Sequence, residues 1–392
     1  MHVITFITPS NEPRMESLEQ SKTRRVRVAI EAVGVKMGGG AHVLRRLIGA
    51  LLDDPRVGAL TVFTSPSELR SFEVPDDPRA VALDIPGAER YVGRVAWLEV
   101  GVSRLAASLR ADVVVCFNAI GAVAGIPQIN IVQQPLMFNR AALALMPPLF
   151  QTKARVIKRL TRSSCSSAEW VITQTHVVAD AVRRDFDVSP DKVQVFTPDI
   201  EWLDAPMISK VSTVFRDAPA DRRLLYVGSD LAYKDVGTLV AALSVARRTF
   251  PDLVLFATIP EEHWFASEPG VVALGALAPG EVRVAMEAAT ILVMPSLAET
   301  VGLPMLEACA IGCPVLAADL PYAREICGEA ASFFRANNVK ACARAICALI
   351  ADPAARDALA RRGRGRVEDL RAARPYEGMA ELIIRAGCSD SG

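Results

Sequence analysis

The sequence predicts an α/β protein of two domains, each a doubly wound parallel sheet, facing one another across a cleft. A chain of 392 residues is longer than one hydrophobic core usually serves, which sets a prior of about two domains. Short apolar runs alternate with helical patterns in two successive series, and runs that are apolar on both faces belong to parallel sheets covered by helices. Between the series, residues 197–221 are richer in Pro and Asp and lose periodicity, as a linker does.

In order, residues 1–24 are polar, carry Pro13 and read as an N-terminal extension without a basic, apolar and cleavable leader. Arg25 to Val33 is a strand-type run, Gly38, Gly39 and Gly40 form a glycine loop, and Ala41 to Leu52 has helical spacing. Strands follow at Ala59 to Thr64 and Val81 to Ile85, a helix at Val92 to Leu109, and strands at Val113 to Phe117 and Gln128 to Val132. Lys153 to Arg162 holds five basic residues and no acid, and leads to strand Trp170 to Gln174, helix Val177 to Phe186 and strand Val193 to Phe196. The second series has strands at Arg223 to Val227, Leu253 to Thr258, Val271 to Leu274, Ile291 to Met294 and Val315 to Ala318. Its helices lie at Val236 to Thr249, Pro279 to Ala288 and Met305 to Ile311, with only helices expected after Ala318. The resulting division is 1–24 extension, 25–205 first domain, 206–370 second domain and 371–392 a tail helix.

Composition narrows the function. Half of the residues are hydrophobic, 22% are charged and mean hydropathy is +0.26, all typical of a packed globular protein. No apolar window is long enough to span a bilayer. Lys plus Arg equals Asp plus Glu at 44 each, so no global field gathers nucleic acid, and any anion site is local. Eight cysteines without a CxxC pair read as reduced thiols of a cytoplasmic protein, with no metal site. Four scattered histidines offer no catalytic cluster, and His42 and His176 read as packing residues at helix starts.

The segment with most chemistry is Pro295 to Pro314, PSLAETVGLPMLEACAIGCP. Pro304 suits a first helical turn, so the N–H groups of Gly302, Leu303 and Met305 are expected at the positive end of a helix, where phosphate binds. Glu299 on the preceding loop and Glu307 one turn into the helix flank that end, and carboxylates accept from sugar hydroxyls. Taken alone, such a pair also describes a solvated loop acid and an ordinary helix acid. Tyr226-Val227-Gly228 followed by Lys234 sets a glycine turn and an ammonium where a diphosphate can approach. The glycine loop fails the dinucleotide fingerprint, because Val43 stands at its third glycine, which argues against a dehydrogenase; it reads equally as a phosphate loop or a tight packing turn.

Together these segments resemble glycosyltransferase family 4, the retaining GT-B enzymes, in the E-x7-E signature formed by Glu299 and Glu307 and in the Y-V-G-R-x4-K segment, of which Lys234 matches and Ser229 replaces the arginine. The resemblance implies two Rossmann-like domains in a GT-B arrangement, with a nucleoside-diphosphate sugar as donor, no cofactor and no metal. It implies that Glu307 binds the ribose, Glu299 contacts the transferred sugar and Lys234 stabilises the departing diphosphate. Gly228, Ser229, Gly39, Gly40, Thr300, Val301, Gly302 and Leu303 would line the donor, and the backbone at Ala276 would touch a base that is uracil, guanine or adenine. The tail helix would cross back onto the first domain. Gln133 and Gln134 stand where many members carry a histidine, and with Asn118 they are acceptor-side candidates; glutamine hydrogen-bonds a hydroxyl but shuttles no proton.

The implied partners are a UDP-, GDP- or ADP-sugar and a saccharide or lipid-linked acceptor, in cell-envelope polysaccharide or glycolipid synthesis. The basic stretch is either a solvated helix or a contact with the anionic inner face of a membrane. Two rivals remain: a GT-B nucleotide-sugar epimerase, and a non-catalytic protein that binds nucleotide sugar.

Overall fold

The computed structural model describes residues 25–35, 39–65, 74–88, 91–117, 119–121, 125–200 and 214–389. The first domain is built on seven parallel strands in the order β3-β2-β1-β4-β5-β6-β7. These are β1 (Val26–Glu31), β2 (Val57–Thr64), β3 (Ala80–Asp84), β4 (Val113–Cys116), β5 (Gln128–Val132), β6 (Trp170–Thr173) and β7 (Val193–Val195). The second holds six parallel strands in the order β10-β9-β8-β11-β12-β13. They are β8 (Arg223–Tyr226), β9 (Val254–Ala257), β10 (Val271–Ala273), β11 (Ile291–Met294), β12 (Val315–Ala318) and β13 (Ala331–Phe334). β13 corrects the expectation of helices alone after Ala318: ASFF is too short for a periodicity to show, and its pairing with β12 decides it.

Both sheets reverse their strand order once, between β1 and β4 and between β8 and β11. Ligands of doubly wound sheets bind beyond the strand C-termini at such a switch point. The loops after β1, β8 and β11 are therefore the ones to examine, and they carry Gly39, Lys234 and Glu299 respectively.

Helices cover both faces of each sheet. α1 (Gly39–Asp53) lays Val43, Leu44, Leu47, Ile48 and Leu51 into the first core, all 1% exposed or less. Next come α2 (Tyr91–Ala96) and α3 (Val102–Ser108), joined by a π-helical turn at Trp97–Gly101 that sets the Trp97 ring edge-on to Phe63. α4 (Arg140–Ala144), α5 (Pro148–Ser167) and α6 (His176–Phe186) complete the domain. The second domain carries α7 (Val236–Ala246), α8 (Pro279–Ala288), α9 (Leu303–Ile311), α10 (Pro321–Cys327), α11 (Val339–Ala351) and α12 (Pro353–Ala372).

The expected boundary at 205/206 falls outside the described residues, and the one at 370/371 falls within the last turn of α12. After Arg374, held at φ +48°, α13 (Pro375–Cys388) packs on the first domain. Its Tyr376, Met379, Ile383 and Ile384 join the core formed by β1, α1 and β4, each side chain contributing about 1.5–3 kcal/mol by burial. Six of the eight cysteines are buried thiols, Cys347 is half-buried and Cys388 exposed.

Candidate active site

The loop between β8 and α7 is fixed by its own hydrogen bonds. Tyr226 Oη donates to the Ser229 carbonyl at 2.6 Å, and Gly228 N–H donates to Thr258 Oγ1 at 2.8 Å. A Cβ at Gly228 would stand 2.6 Å from Tyr226 Oη, so the turn needs glycine here for space. It delivers Lys234, whose Nζ lies 2.6 Å from Glu299 Oε1. The two side chains are 14% and 12% exposed, which makes this a largely desolvated ion pair. The Leu297 amide donates to the Tyr233 carbonyl at 2.8 Å and Tyr322 Oη to the Ser296 carbonyl at 2.6 Å, so the loop bearing Glu299 is pinned on both sides.

α9 begins at Gly302, whose φ of +73° is left-handed and whose Cβ would meet Met305 Cε at 2.7 Å. The Met305 amide, expected to be free, instead donates to the Gly302 carbonyl at 2.9 Å. Glu307 follows in the second turn. Burial pushes its carboxyl up to about 7 from 4.5, and it has no hydrogen-bond partner among the described residues. A desolvated acceptor without a donor is ready for ligand hydroxyls.

The first domain closes on this site. A Cβ at Gly39 would come within 2.7 Å of Leu303 Cδ1, so the glycine loop touches the start of α9 and tolerates no side chain there. Gln133 lies behind it, its Oε1 3.7 Å from where a Gly40 Cβ would be, while Gln134 is exposed. Ala276 is exposed beyond β10, next to Gly275 at φ +64°. The Val301 side chain belongs to the second core, and the Thr300 carbonyl accepts from Thr175 of the first domain at 3.1 Å. Asn118 and Gly38 lie outside the described residues. Among the described residues no three His, Cys, Asp or Glu side chains converge as a metal site.

Several contacts between the domains were not visible in the sequence. Glu325 of α10 accepts from the His176 and Val177 amides at 2.6 and 3.0 Å and lies 3.0 Å from His176 Nδ1, so it caps α6 from across the cleft. His176 is therefore an interdomain contact as well as a helix start. Asn139 caps α4 and donates from Nδ2 to the Leu297 carbonyl at 3.0 Å. Thr175 caps α6 while its hydroxyl reaches Thr300 at 3.1 Å. The cap residue types were legible in Asn139 and Thr175; their second partners lie over 100 residues away in sequence. His42 contacts the Asp199 carbonyl at 3.3 Å, with burial holding its pKa below the ordinary value.

Residues 38–199 match the family model described as glycosyl transferase 4-like domain, and residues 221–352 match the one described as glycosyl transferases group 1. Together they span three quarters of the chain. This protein is a GT-B glycosyltransferase. Similar solved structures agree on the fold. WaaG, a glycosyltransferase involved in lipopolysaccharide biosynthesis, is 18% identical with a TM-score of 0.69 over 91% of this chain and 99% of that one. Sucrose-phosphate synthase of Thermosynechococcus elongatus is 16% identical with a TM-score of 0.68, over 92% and 99%. HepE of Anabaena, in complex with UDP and glucose, is 17% identical with a TM-score of 0.68, over 92% and 99%. No curated protein matches the sequence. Among the described residues of this glycosyltransferase, no helix is long and apolar enough to cross a membrane.

Proposed function

We propose that this glycosyltransferase moves a sugar from a nucleoside-diphosphate sugar to an acceptor hydroxyl with retention of anomeric configuration, without a metal ion. The observation that carries the reading is the meeting of Lys234 and Glu299 at 2.6 Å, beside the start of α9 and one helical turn from the unpartnered Glu307. Glu307 would accept the two ribose hydroxyls. The diphosphate would lie between the glycine loop and the N-terminus of α9, where helix amides and the Lys234 ammonium meet its growing charge. Lys234 would leave Glu299 for the phosphate as the donor enters, which frees the Glu299 carboxylate for hydroxyls of the transferred sugar. The bond from the anomeric carbon to phosphate breaks, the acceptor oxygen attacks from the same face, and its proton passes to the departing diphosphate. With Ser229 in place of an arginine, Lys234 carries more of the charge stabilisation.

UDP is the first nucleotide to test, ahead of GDP and ADP, because HepE holds UDP-glucose. The acceptor is a saccharide or a lipid-linked saccharide of the cell envelope, in keeping with the role printed for WaaG. α5 supports contact with an anionic membrane from the cytoplasmic side: Leu149 is 81% and Val156 41% exposed, beside exposed Lys153, Arg155, Arg159 and Arg162. The epimerase and non-catalytic readings are not favoured.

The test is thermal stabilisation of wild type and Glu307→Ala by UDP, GDP and ADP and their sugar conjugates, with chelator present. One nucleotide should raise the melting temperature by several degrees in wild type and much less in the variant. No stabilisation by any of them would remove the donor site.

A further inference from the structure

A helix ordinarily begins on a residue with extended backbone. The two helices that start beside Lys234 and Glu299 do not. α9 begins at Gly302, left-handed at φ +73°, where glycine meets no steric penalty. α7 begins at Asp235, left-handed at φ +52° and ψ +35°, a conformation disfavoured for residues with a Cβ and, after glycine, least so for Asn and Asp. Lys234 immediately precedes it, as the last residue of a short 3-10 turn at Ala232–Lys234. The Lys234 amide donates to the Leu231 carbonyl at 2.7 Å and the Asp235 amide to the Ala232 carbonyl at 3.2 Å, while the Thr238 amide donates to the Asp235 carbonyl at 3.1 Å. Two right-handed segments therefore meet at one left-handed residue, which keeps the turn from running on into α7. That turn presents Lys234 Nζ to Glu299 and the Tyr233 carbonyl to the Leu297 amide. The Asp235 side chain adds a second cost. Its Oδ1 accepts from Thr238 Oγ1 at 2.8 Å, but Oδ2 is buried without a partner among the described residues, and burial holds the carboxyl above its ordinary pKa. Backbone strain of this kind persists only where the surrounding structure imposes it, and it gathers at functional loops.

We propose that Asp235 is the positioning residue of Lys234: its left-handed backbone fixes the turn that holds the lysine against Glu299. The consequence for sugar transfer rests on the donor site of the proposed function, to which Asp235 adds the residue that aims the lysine. Its carboxylate engages Thr238 inside α7, so its effect on Lys234 passes through the backbone and not through charge. With Asp235 right-handed, the turn would continue into α7 and carry the Lys234 side chain around the helix axis, away from Glu299. The residues able to hold this position are those that tolerate the left-handed region, glycine and asparagine besides aspartate.

The experiment compares Asp235→Gly, Asp235→Asn, Asp235→Ala and Thr238→Val in the full chain, with urea unfolding to show that each is folded. The first readout is the rate at which acetic anhydride acetylates Lys234 without nucleotide, followed by peptide mass spectrometry. Pairing with Glu299 and 14% exposure protect the lysine in wild type. Asp235→Gly and Asp235→Asn should keep that protection. Asp235→Ala should label on the order of tenfold faster, the ratio by which alanine falls short of glycine in a left-handed residue. Thr238→Val removes the hydrogen bond to the Asp235 carboxylate and leaves the backbone, so it should lower stability while Lys234 stays protected. The second readout is release of UDP from UDP-glucose: Asp235→Ala should lower kcat on the order of tenfold, Asp235→Gly should restore it, and alanine should add nothing in a Lys234→Gln background. Equal labelling of the glycine and alanine variants, protection lost as far in Thr238→Val as in Asp235→Ala, or an alanine effect on turnover undiminished in Lys234→Gln would overturn the proposal. The expected labelling together with turnover indifferent to Lys234→Gln would count against the donor site alone, since the labelling is measured without nucleotide.

Discussion

Replacing Glu307 by glutamine separates a half-buried carboxyl poised for a ligand from an ordinary helix acid. In the folded chain burial lifts this group to about 7, against 4.5 when solvated. Between those values the native state holds a proton that the unfolded state has released, so stability falls as pH rises through this window. The gap, at roughly 1.4 kcal/mol per pH unit, corresponds to about 3 kcal/mol. Glutamine is nearly isosteric with the protonated acid and does not titrate. Wild type and Glu307→Gln should therefore be almost equally stable at pH 4.5, diverge up to about pH 7 and stay apart by a constant amount above it, with the variant the more stable. Urea unfolding of both proteins without nucleotide, at half-unit intervals from pH 4.5 to 8.5, reads the difference directly, because every other titrating group cancels in it. Nucleotide should act in the opposite sense. Ribose hydroxyls donate to the ionised form, so wild-type affinity should weaken below about pH 7 while that of the variant is weak and flat. Parallel stability curves would refute the desolvated carboxyl, and diverging curves with pH-independent nucleotide affinity would remove Glu307 from the ribose.

Lys234→Gln leaves Glu299 desolvated without its partner and should lower stability by about 3 kcal/mol, while nucleotide release from the donor falls at least a hundredfold. Lys234→Gln combined with Glu299→Gln should recover most of that stability in urea titrations and none of the activity. Gly302→Ala forces a side chain into a left-handed residue and against Met305, and should cost about 1–2 kcal/mol at least, read as a lower melting temperature together with weaker nucleotide binding. Glu325→Ala removes the cap that the second domain places on α6, should weaken the interdomain contact by about 2 kcal/mol, and should enlarge the radius of gyration in small-angle scattering while each domain stays folded.

The sheets were legible because their strands are buried on both faces: Val113–Cys116, Gln128–Val132 and Ile291–Met294 are apolar or fully covered throughout, and such runs stand out against amphipathic helices. Lys234, Glu299 and Glu307 were legible because one chain segment sets each at a fixed offset from a glycine or proline that shapes the backbone. The structure adds that Lys234 and Glu299 face one another, 65 residues apart in sequence. What sequence could not supply was everything that depends on how the two domains meet. Glu325 is one acid among 44, and nothing near it in the chain marks it as the partner of a helix in the other domain. Arg140, Lys158 and Arg184 belong to three helices that only the fold gathers around one cavity. The basic run from Lys153 drew attention to α5 as a whole, yet Lys158 alone of its cations turns inward to Asp185.

The placement of these contacts says how donor binding and domain closure are coupled. Glu299 sits on a five-residue stretch, Leu297 to Val301, that touches the first domain at both ends, through Asn139 on the Leu297 carbonyl and Thr175 on the Thr300 carbonyl. Leu136, Ala142 and Met146 of the first domain pack against Ala298 within the same stretch. Opening of the cleft would break these contacts, while the Tyr233 and Tyr322 hydrogen bonds within the second domain would still hold the loop that aims Glu299 at Lys234. The lysine meets its carboxylate where both side chains are largely shielded from water, and under the proposed function a diphosphate arriving there would replace one desolvated anion by another of higher charge. Such an exchange would favour a diphosphate over a neutral sugar without requiring new positive charge, and would leave the Glu299 carboxylate free for hydroxyls of the transferred sugar.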